Sequence, residues 1–303
     1  MNRLLILSIL ALAPFLLSPS VVSAEAACKH QTRILSVPDP VSGRKYRIQV
    51  SLPDDFSYDR RRSWPLLILT DGPRAFRTLA CLGRALARKN EVAIDPVIVG
   101  LSYALNEDRE NSRRRDYTPV PRLDSALTYG GAGPYKNYLR DVVLARVEAE
   151  FNTDPEKRIF WGHSYGALLG AYMLLTQPNL FQTWILGSPS FWYEEGAIYA
   201  FEEAYARGNT RLDAQVLFYV GGKEVRRYVR ARRGYTRDMV AGVRKFTARL
   251  QARKFEGLSL KSTVLSGLNH VTAVPPGFEW ALRTAFPVVE EEPVGVNFPL
   301  GGR

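Results

Sequence analysis

The segment Gly162-His163-Ser164-Tyr165-Gly166 has the spacing of a nucleophile elbow. In such a turn a serine sits between a strand and a helix with strained backbone angles. Small flanking residues let the two elements approach, and the hydroxyl stands clear above the sheet. The flanks suit that geometry: Arg158-Ile-Phe-Trp161 reads as an apolar strand, and Ala167, Gly170 and Ala171 are small residues on the helix that follows. A serine hydroxyl is a weak nucleophile at neutral pH and needs a general base. The chain holds three histidines. His30 precedes the first strand, and His163 lies in the elbow, where its side chain is expected to point away from the hydroxyl. His270 lies on the loop after the last strand, in Leu265-Ser-Gly-Leu-Asn-His270, and is the expected base. A base of this kind needs a carboxylate to hold its tautomer, and the order serine, acid, histidine puts that carboxylate between residues 164 and 270. Glu224 fits best, just past a strand on the loop Gly221-Gly222-Lys223, with Asp238 second and inside a predicted helix. An oxyanion would be held by the Tyr165 N–H and by a second N–H from Asp71-Gly72-Pro73-Arg74. Pro73 has none to give, which leaves Gly72 or Arg74. This set of groups supports acyl transfer through an acyl-serine.

The elements that must position them follow from hydrophobic pattern. Residues 44–53 alternate polar and apolar and end at Pro53, as an edge strand does. Residues 65–71 and 96–101 are continuous apolar runs, the pattern of buried strands. Further strands are expected at 158–162, 181–187, 214–220 and 258–265. Helical spacing marks 75–89 (Phe76, Leu79, Leu82, Leu86), 135–151, 164–176, 194–207, 235–255 (Met239, Val243, Phe246, Leu250) and 273–286. The polar stretch 102–134 is expected as a long loop. Strands alternating with helices indicate an α/β fold, a mostly parallel sheet with helices on both faces. Residues 25–290 are expected as one domain, followed by a C-terminal tail over 291–303.

The N-terminus stands apart. Arg3, the apolar stretch 4–17 and the small residues Val22-Ser23-Ala24 form a secretory leader with cleavage expected after Ala24, which places the mature protein in a periplasm or outside the cell. Its apolar stretch is shorter than the roughly 20 residues of a spanning helix, so no stable membrane insertion is expected. The two cysteines, Cys28 and Cys81, either form one disulfide or stay as two thiols, and their number excludes a zinc site built on cysteine. The formal charge of +11 becomes +10 (11 − 1) once Arg3 leaves with the leader. Basic clusters at 60–62, 113–115 and 226–237 suit nucleic acid, anionic surfaces or acidic substrates, or form a solvated basic surface, the reading that fits 60–62 best, and no nucleic-acid-binding motif accompanies them.

Asp71-Gly72, Arg115-Asp116-Tyr117-Thr118-Pro119, the Ser164 pentapeptide, Ser188-Pro189-Ser190-Phe191-Trp192 and Asn269-His270 occur in that order. Together they resemble the esterase D-like family of α/β-hydrolases, which includes enterochelin esterases and periplasmic trilactone hydrolases, over about residues 33–286. The resemblance implies the α/β-hydrolase fold, ester cleavage without cofactor or metal, Ser164 as nucleophile and His270 as base. It leaves the acid open, because some trilactone hydrolases look like Ser–His dyads. Pro73 stands where some related enzymes place an oxyanion donor. Trp192 and Arg115 are expected to line the substrate pocket, the arginines 113–115 meeting an anionic ferric siderophore. Simple carboxylesterases and acyltransferases share the family, and a silent binding protein that keeps the fold is a further alternative.

Overall fold

The computed structural model describes residues 31–226 and 237–289. The leader, Cys28, His30, most of the 226–237 basic cluster and the 291–303 tail lie outside the described residues. Eight strands form one sheet: β1 (Thr32–Ser36), β2 (Arg47–Ser51), β3 (Trp64–Leu69), β4 (Val97–Leu101), β5 (Thr153–His163), β6 (Thr183–Gly187), β7 (Arg211–Gly221) and β8 (Glu256–Leu265). Their order is β1-β2-β4-β3-β5-β6-β7-β8. β1 and β2 pair antiparallel with their neighbours, and every pairing from β4 to β8 is parallel. The edge is therefore β1, not the 44–53 strand. β1 is exposed at four of its five residues, so it carries no apolar run to reveal it.

Eight α-helices are described: α1 (Gly72–Arg88), α2 (Arg109–Tyr117), α3 (Ala132–Tyr138), α4 (Ala145–Phe151), α5 (Tyr165–Thr176), α6 (Ile198–Gly208), α7 (Met239–Arg253) and α8 (Val274–Ala285), with a π-helical stretch Leu139–Leu144 joining α3 to α4. The central strands carry continuous apolar runs because each feeds two cores. Leu66 and Ile68 of β3 face the larger one, with Phe160, Val216, Leu168 of α5 and Phe246 of α7. Leu67 and Leu69 face the other, with Phe76 and Leu79 of α1 and Phe278 and Leu282 of α8. Alternate residues of a strand point to opposite faces, so a continuous apolar run is what a two-sided sheet requires.

The 102–134 stretch is not one long loop. It contains α2, whose sequence Arg-Glu-Asn-Ser-Arg-Arg-Arg-Asp-Tyr lacks any apolar stripe. Asp108 caps it by accepting from the Asn111 N–H at 2.8 Å. Its buried side is held by ion pairs, Arg113 with Asp71 and Arg115 with Asp116. The chain leaves β3 towards β4 on one side and resumes at β5 on the other. A crevice opens at the strand ends where that direction reverses, the usual place for a ligand in such sheets.

Candidate active site

Ser164 stands between β5 and α5 with φ 59° and ψ −117°, a positive-φ conformation that a serine adopts only when its surroundings impose it. They impose it by close packing. A Cβ on Gly162 would lie 2.4 Å from the Gly166 carbonyl carbon and oxygen, and one on Gly166 would lie 2.2 Å from Thr70 Oγ1. The two glycines thus let strand and helix meet across the turn. The Ser164 N–H donates to the Gly187 carbonyl at 2.9 Å, and its carbonyl accepts from the N–H groups of Leu168 (3.0 Å) and Ser190 (3.2 Å). Its hydroxyl lies 3.3 Å from that of Ser190.

His270 is presented by a tight turn after β8. The Asn269 side chain accepts from the N–H groups of Val271 and Thr272, both at 3.0 Å, which fixes the loop around the histidine. His270 Nδ1 lies 2.6 Å from Glu224 Oε2. Glu224 comes from the turn after β7, and its side chain is only 4% exposed against 38% for His270. The other carboxylate oxygen accepts from Ser188 Oγ at 2.6 Å and from the Gly221 N–H at 2.8 Å. A Cβ on Gly221 would come within 2.9 Å of the Leu268 and Asn269 carbonyls and of Glu224, so the bare backbone there lets the histidine loop settle on the acid's turn. Asp238 is occupied elsewhere, capping α7 through the Ala241 N–H at 2.8 Å.

His163 does not simply turn its back on the site. Its ring lies 4.5 Å, centroid to centroid, from that of His270, and its Nδ1 lies 3.4 Å from the Tyr219 hydroxyl. Burial, then the neighbouring His270 and Arg113, hold its pKa well below the usual histidine range. A neutral ring therefore sits beside His270. Tyr219 reaches it by passing between two glycines: a Cβ on Gly187 or on Gly277 would lie about 2.1–2.2 Å from its ring. Neither glycine stands out in the sequence, where both look like ordinary punctuation.

Of the oxyanion candidates, Tyr165 opens α5 and Gly72 opens α1. The first amides of a helix have no intrahelical acceptor. Arg74 spends its N–H on the Asp71 carbonyl at 2.8 Å. Gly72 is pressed against β4, where a Cβ would lie 2.8 Å from Gly100 and Leu101 backbone atoms. Asp71, just before it, adopts φ 55° and is held by Arg113 (2.6 and 2.9 Å) and by the Tyr103 hydroxyl (2.6 Å).

Two cavities meet at Ser164 and His270. The larger, about 680 Å³, is lined by Arg113, Arg114, Lys223, Arg237, Tyr165 and Trp192 among others. The Arg237 guanidinium lies 4.2 Å above the Trp192 ring. The smaller, about 380 Å³, runs between α1 and α8. Arg115 lines neither. A helix turns about 100° per residue, so one residue beyond Arg114 the side chain is carried away from Ser164. It is buried against Asp116, Glu107 and Tyr46, beside a separate small cleft. The basic residues of α2 at the cavity are 113 and 114. Among the described residues no group of histidine, cysteine, aspartate and glutamate is arranged to hold a metal ion.

Comparison with known proteins agrees with this architecture. The family model described as "Putative esterase" matches residues 40–259. Ferri-bacillibactin esterase BesA of Bacillus subtilis is 26% identical over 270 residues, 85% of this chain and 89% of that one. Siderophore triacetylfusarinine C esterase of Aspergillus fumigatus is 32% identical over 156 residues, a match spanning 50% of this chain and about half (53%) of that one. Among solved structures, the BES protein from Bacillus cereus superposes with a TM-score of 0.72 at 22% identity, covering 93% of this chain and 100% of that one. Siderophore hydrolase EstA from Aspergillus nidulans gives 0.72 at 20% identity, over 92% and 98%. These likenesses are of fold.

Proposed function

The chain belongs to the esterase family whose model spans residues 40–259, and on that premise we propose that it cleaves the ester bonds of an anionic siderophore through Ser164, His270 and Glu224. The observation that carries the reading is the His270–Glu224 contact at the mouth of a cavity that also holds Ser164 and several cationic side chains. Relatives named for siderophore ester hydrolysis support the substrate class.

The steps follow from the groups present. The Ser164 hydroxyl gives its proton to His270 Nε2 as Oγ bonds to the ester carbonyl carbon. Glu224 holds the proton on Nδ1, so that Nε2 is the accepting nitrogen, and balances the imidazolium that forms. The N–H groups of Tyr165 and Gly72 are proposed to hold the negative carbonyl oxygen. The tetrahedral centre collapses, its bond to the alcohol oxygen breaks, and His270 returns the proton to that oxygen. Water then repeats the sequence on the acyl-serine and releases the acid. No cofactor enters these steps. The cations of the larger cavity, with Arg237 stacked on Trp192, suit catecholate or carboxylate oxygens on an aromatic scaffold.

The leader, with cleavage after Ala24, belongs to the same reading: siderophore ester hydrolysis outside the cytoplasm. In support, Cys81 is disulfide-bonded, as oxidising compartments favour. No helix among the described residues is long and apolar enough to cross a membrane.

The test is direct. A fluorophosphonate probe should label the wild type and not Ser164→Ala. The ratio kcat/KM should favour a ferric trilactone over p-nitrophenyl acetate by at least about tenfold, roughly 1.4 kcal/mol of transition-state binding. Equal labelling of both proteins, or a smaller preference, overturns the enzyme or the substrate reading respectively.

A further inference from the structure

The two cavities that meet at Ser164 differ in chemistry. In the smaller one the charged groups are already matched to one another. Arg113 holds both carboxylate oxygens of Asp71 (2.6 and 2.9 Å), and Arg74 pairs with Glu110. Beyond Ser164, His270, Thr78 and His163, the rest of the wall is apolar: Ala75 and Leu79 from α1, Trp161 from β5, Val271, and Val274 and Pro275 at the start of α8. Such a wall offers an anion only cations that are already paired, whereas a volume of about 380 Å³ is in the range of small-molecule subsites. It begins at Ser164 and His270 themselves, so whatever fills it is attached to the reacting carbon or lies one bond away.

We propose that this cavity is an acyl subsite, and that it gives the protein a second class of substrate, esters of uncharged aliphatic acids of about four to eight carbons. The assignment to the acid half follows from the order of events. The alcohol must depart and water must then reach the acyl-serine beside His270, while the acyl group stays covalently held throughout. The larger cationic cavity, about 680 Å³, provides room for both departure and entry. The smaller cavity is left for the group that does not move. Burial of the chain against Leu79 and Val274 strengthens binding in the transition state as well as the ground state, so the gain appears in kcat/KM. This inference rests on Ser164 as the nucleophile and on no assumption about siderophores.

The experiment is a p-nitrophenyl ester series from acetate to octanoate, run on the wild type, Val274→Trp and Thr78→Phe. Both variants place a large ring in the cavity from half-buried positions, and thermal melts establish that each folds. In the wild type kcat/KM should rise about threefold per added methylene, then level off as the cavity fills. In the filled variants the hexanoate-to-acetate ratio should fall from about tenfold or more to near one. A flat wild-type series overturns the proposal, as does an unaltered slope in whichever variant folds. A length dependence confined to the alcohol half, measured with alkyl acetates, overturns it too. Failure of the trilactone assay with an intact acyl slope removes the siderophore reading and leaves this one standing. Full ester hydrolysis by Ser164→Ala removes both.

Discussion

Ser188 Oγ lies 2.6 Å from Glu224 Oε1, the carboxylate oxygen that His270 does not use. Ser188 directly follows β6 with φ 39°, is fully buried, and shares that oxygen with the Gly221 N–H. One carboxylate oxygen is thus pinned by two donors from separate strands while the other faces the histidine. A hydrogen bond to a charged group contributes about 1.5–3 kcal/mol, so Ser188→Ala should lower kcat by at least about tenfold with little change in KM. Glu224→Gln should lower it by about 10³–10⁴, since an amide favours the wrong histidine tautomer. Steady-state kinetics on the double variant separates positioning from mere stability: Ser188→Ala should add almost nothing once Glu224 is Gln. A full additional tenfold loss in that background would show that Ser188 acts on something other than the carboxylate.

The elbow glycines make a sharper steric prediction. Gly162 faces backbone atoms of Gly166 and Ala167, within 2.4–2.8 Å of where its Cβ would sit, and backbone cannot rotate away. Gly162→Ala should cost about 1–3 kcal/mol of stability, as overpacking in a dense interior does, and should lower kcat through a displaced Ser164. Gly208→Ala serves as the control, because nothing lies within 4 Å of its Cβ position, and its effect should stay within about 0.5 kcal/mol. Urea unfolding of both proteins checks the contrast.

What could be read in the sequence, and what could not, divides by the kind of force involved. The centre of the sheet was legible because its strands are buried on both faces and announce themselves as apolar runs, whereas the exposed β1 carries none. The convergence of Ser164, Glu224 and His270 on one cavity was legible because each follows a parallel strand, and the ends of such strands share one rim. α2 was not legible, since its buried face is arginine and aspartate, Arg113 held by the distant Asp71 and Asp116 by the distant Tyr46, and no periodicity records such contacts. The misplacement of Arg115 followed from that, because without a helix the three consecutive arginines have no faces to distinguish them. The closeness of His163 to His270 and the passage of Tyr219 between Gly187 and Gly277 are contacts between strands and loops far apart in sequence. The glycines were the available signal, but only the fold says what approaches them.

The cationic cavity predicts selective loss of anionic substrates. Arg114 and Arg237 line it at exposed or half-buried positions, where added salt screens them. Arg237→Ala and Arg114→Ala should each raise KM for an anionic ester about three- to tenfold and leave p-nitrophenyl acetate within about twofold. The wild-type preference for the anionic ester should shrink as salt rises from about 0.01 to 0.5 M, and the double variant should lose most of that salt dependence. Equal effects on charged and neutral esters would assign these arginines to packing instead.

His163 carries a prediction about stability and pH. Its folded pKa is depressed, by burial first and by His270 and Arg113 after that, while in the unfolded chain it returns to about 6.5. The unfolded state therefore binds one more proton than the folded state below about pH 6.5, and stability falls as pH drops through that value. The limiting slope for one proton is about 1.4 kcal/mol per pH unit. Above pH 7 both states hold a neutral ring and the contribution is complete. His163→Gln removes the titration, so the stability difference between wild type and variant should narrow by about 1 kcal/mol or more between pH 7.5 and pH 5.5. Urea unfolding at the two pH values measures that difference, and other histidines cancel in it because both proteins carry them. A gap that stays constant with pH would mean that the ring is protonated as readily in the folded protein as in the unfolded chain, which its packing against His270 and Tyr219 does not allow.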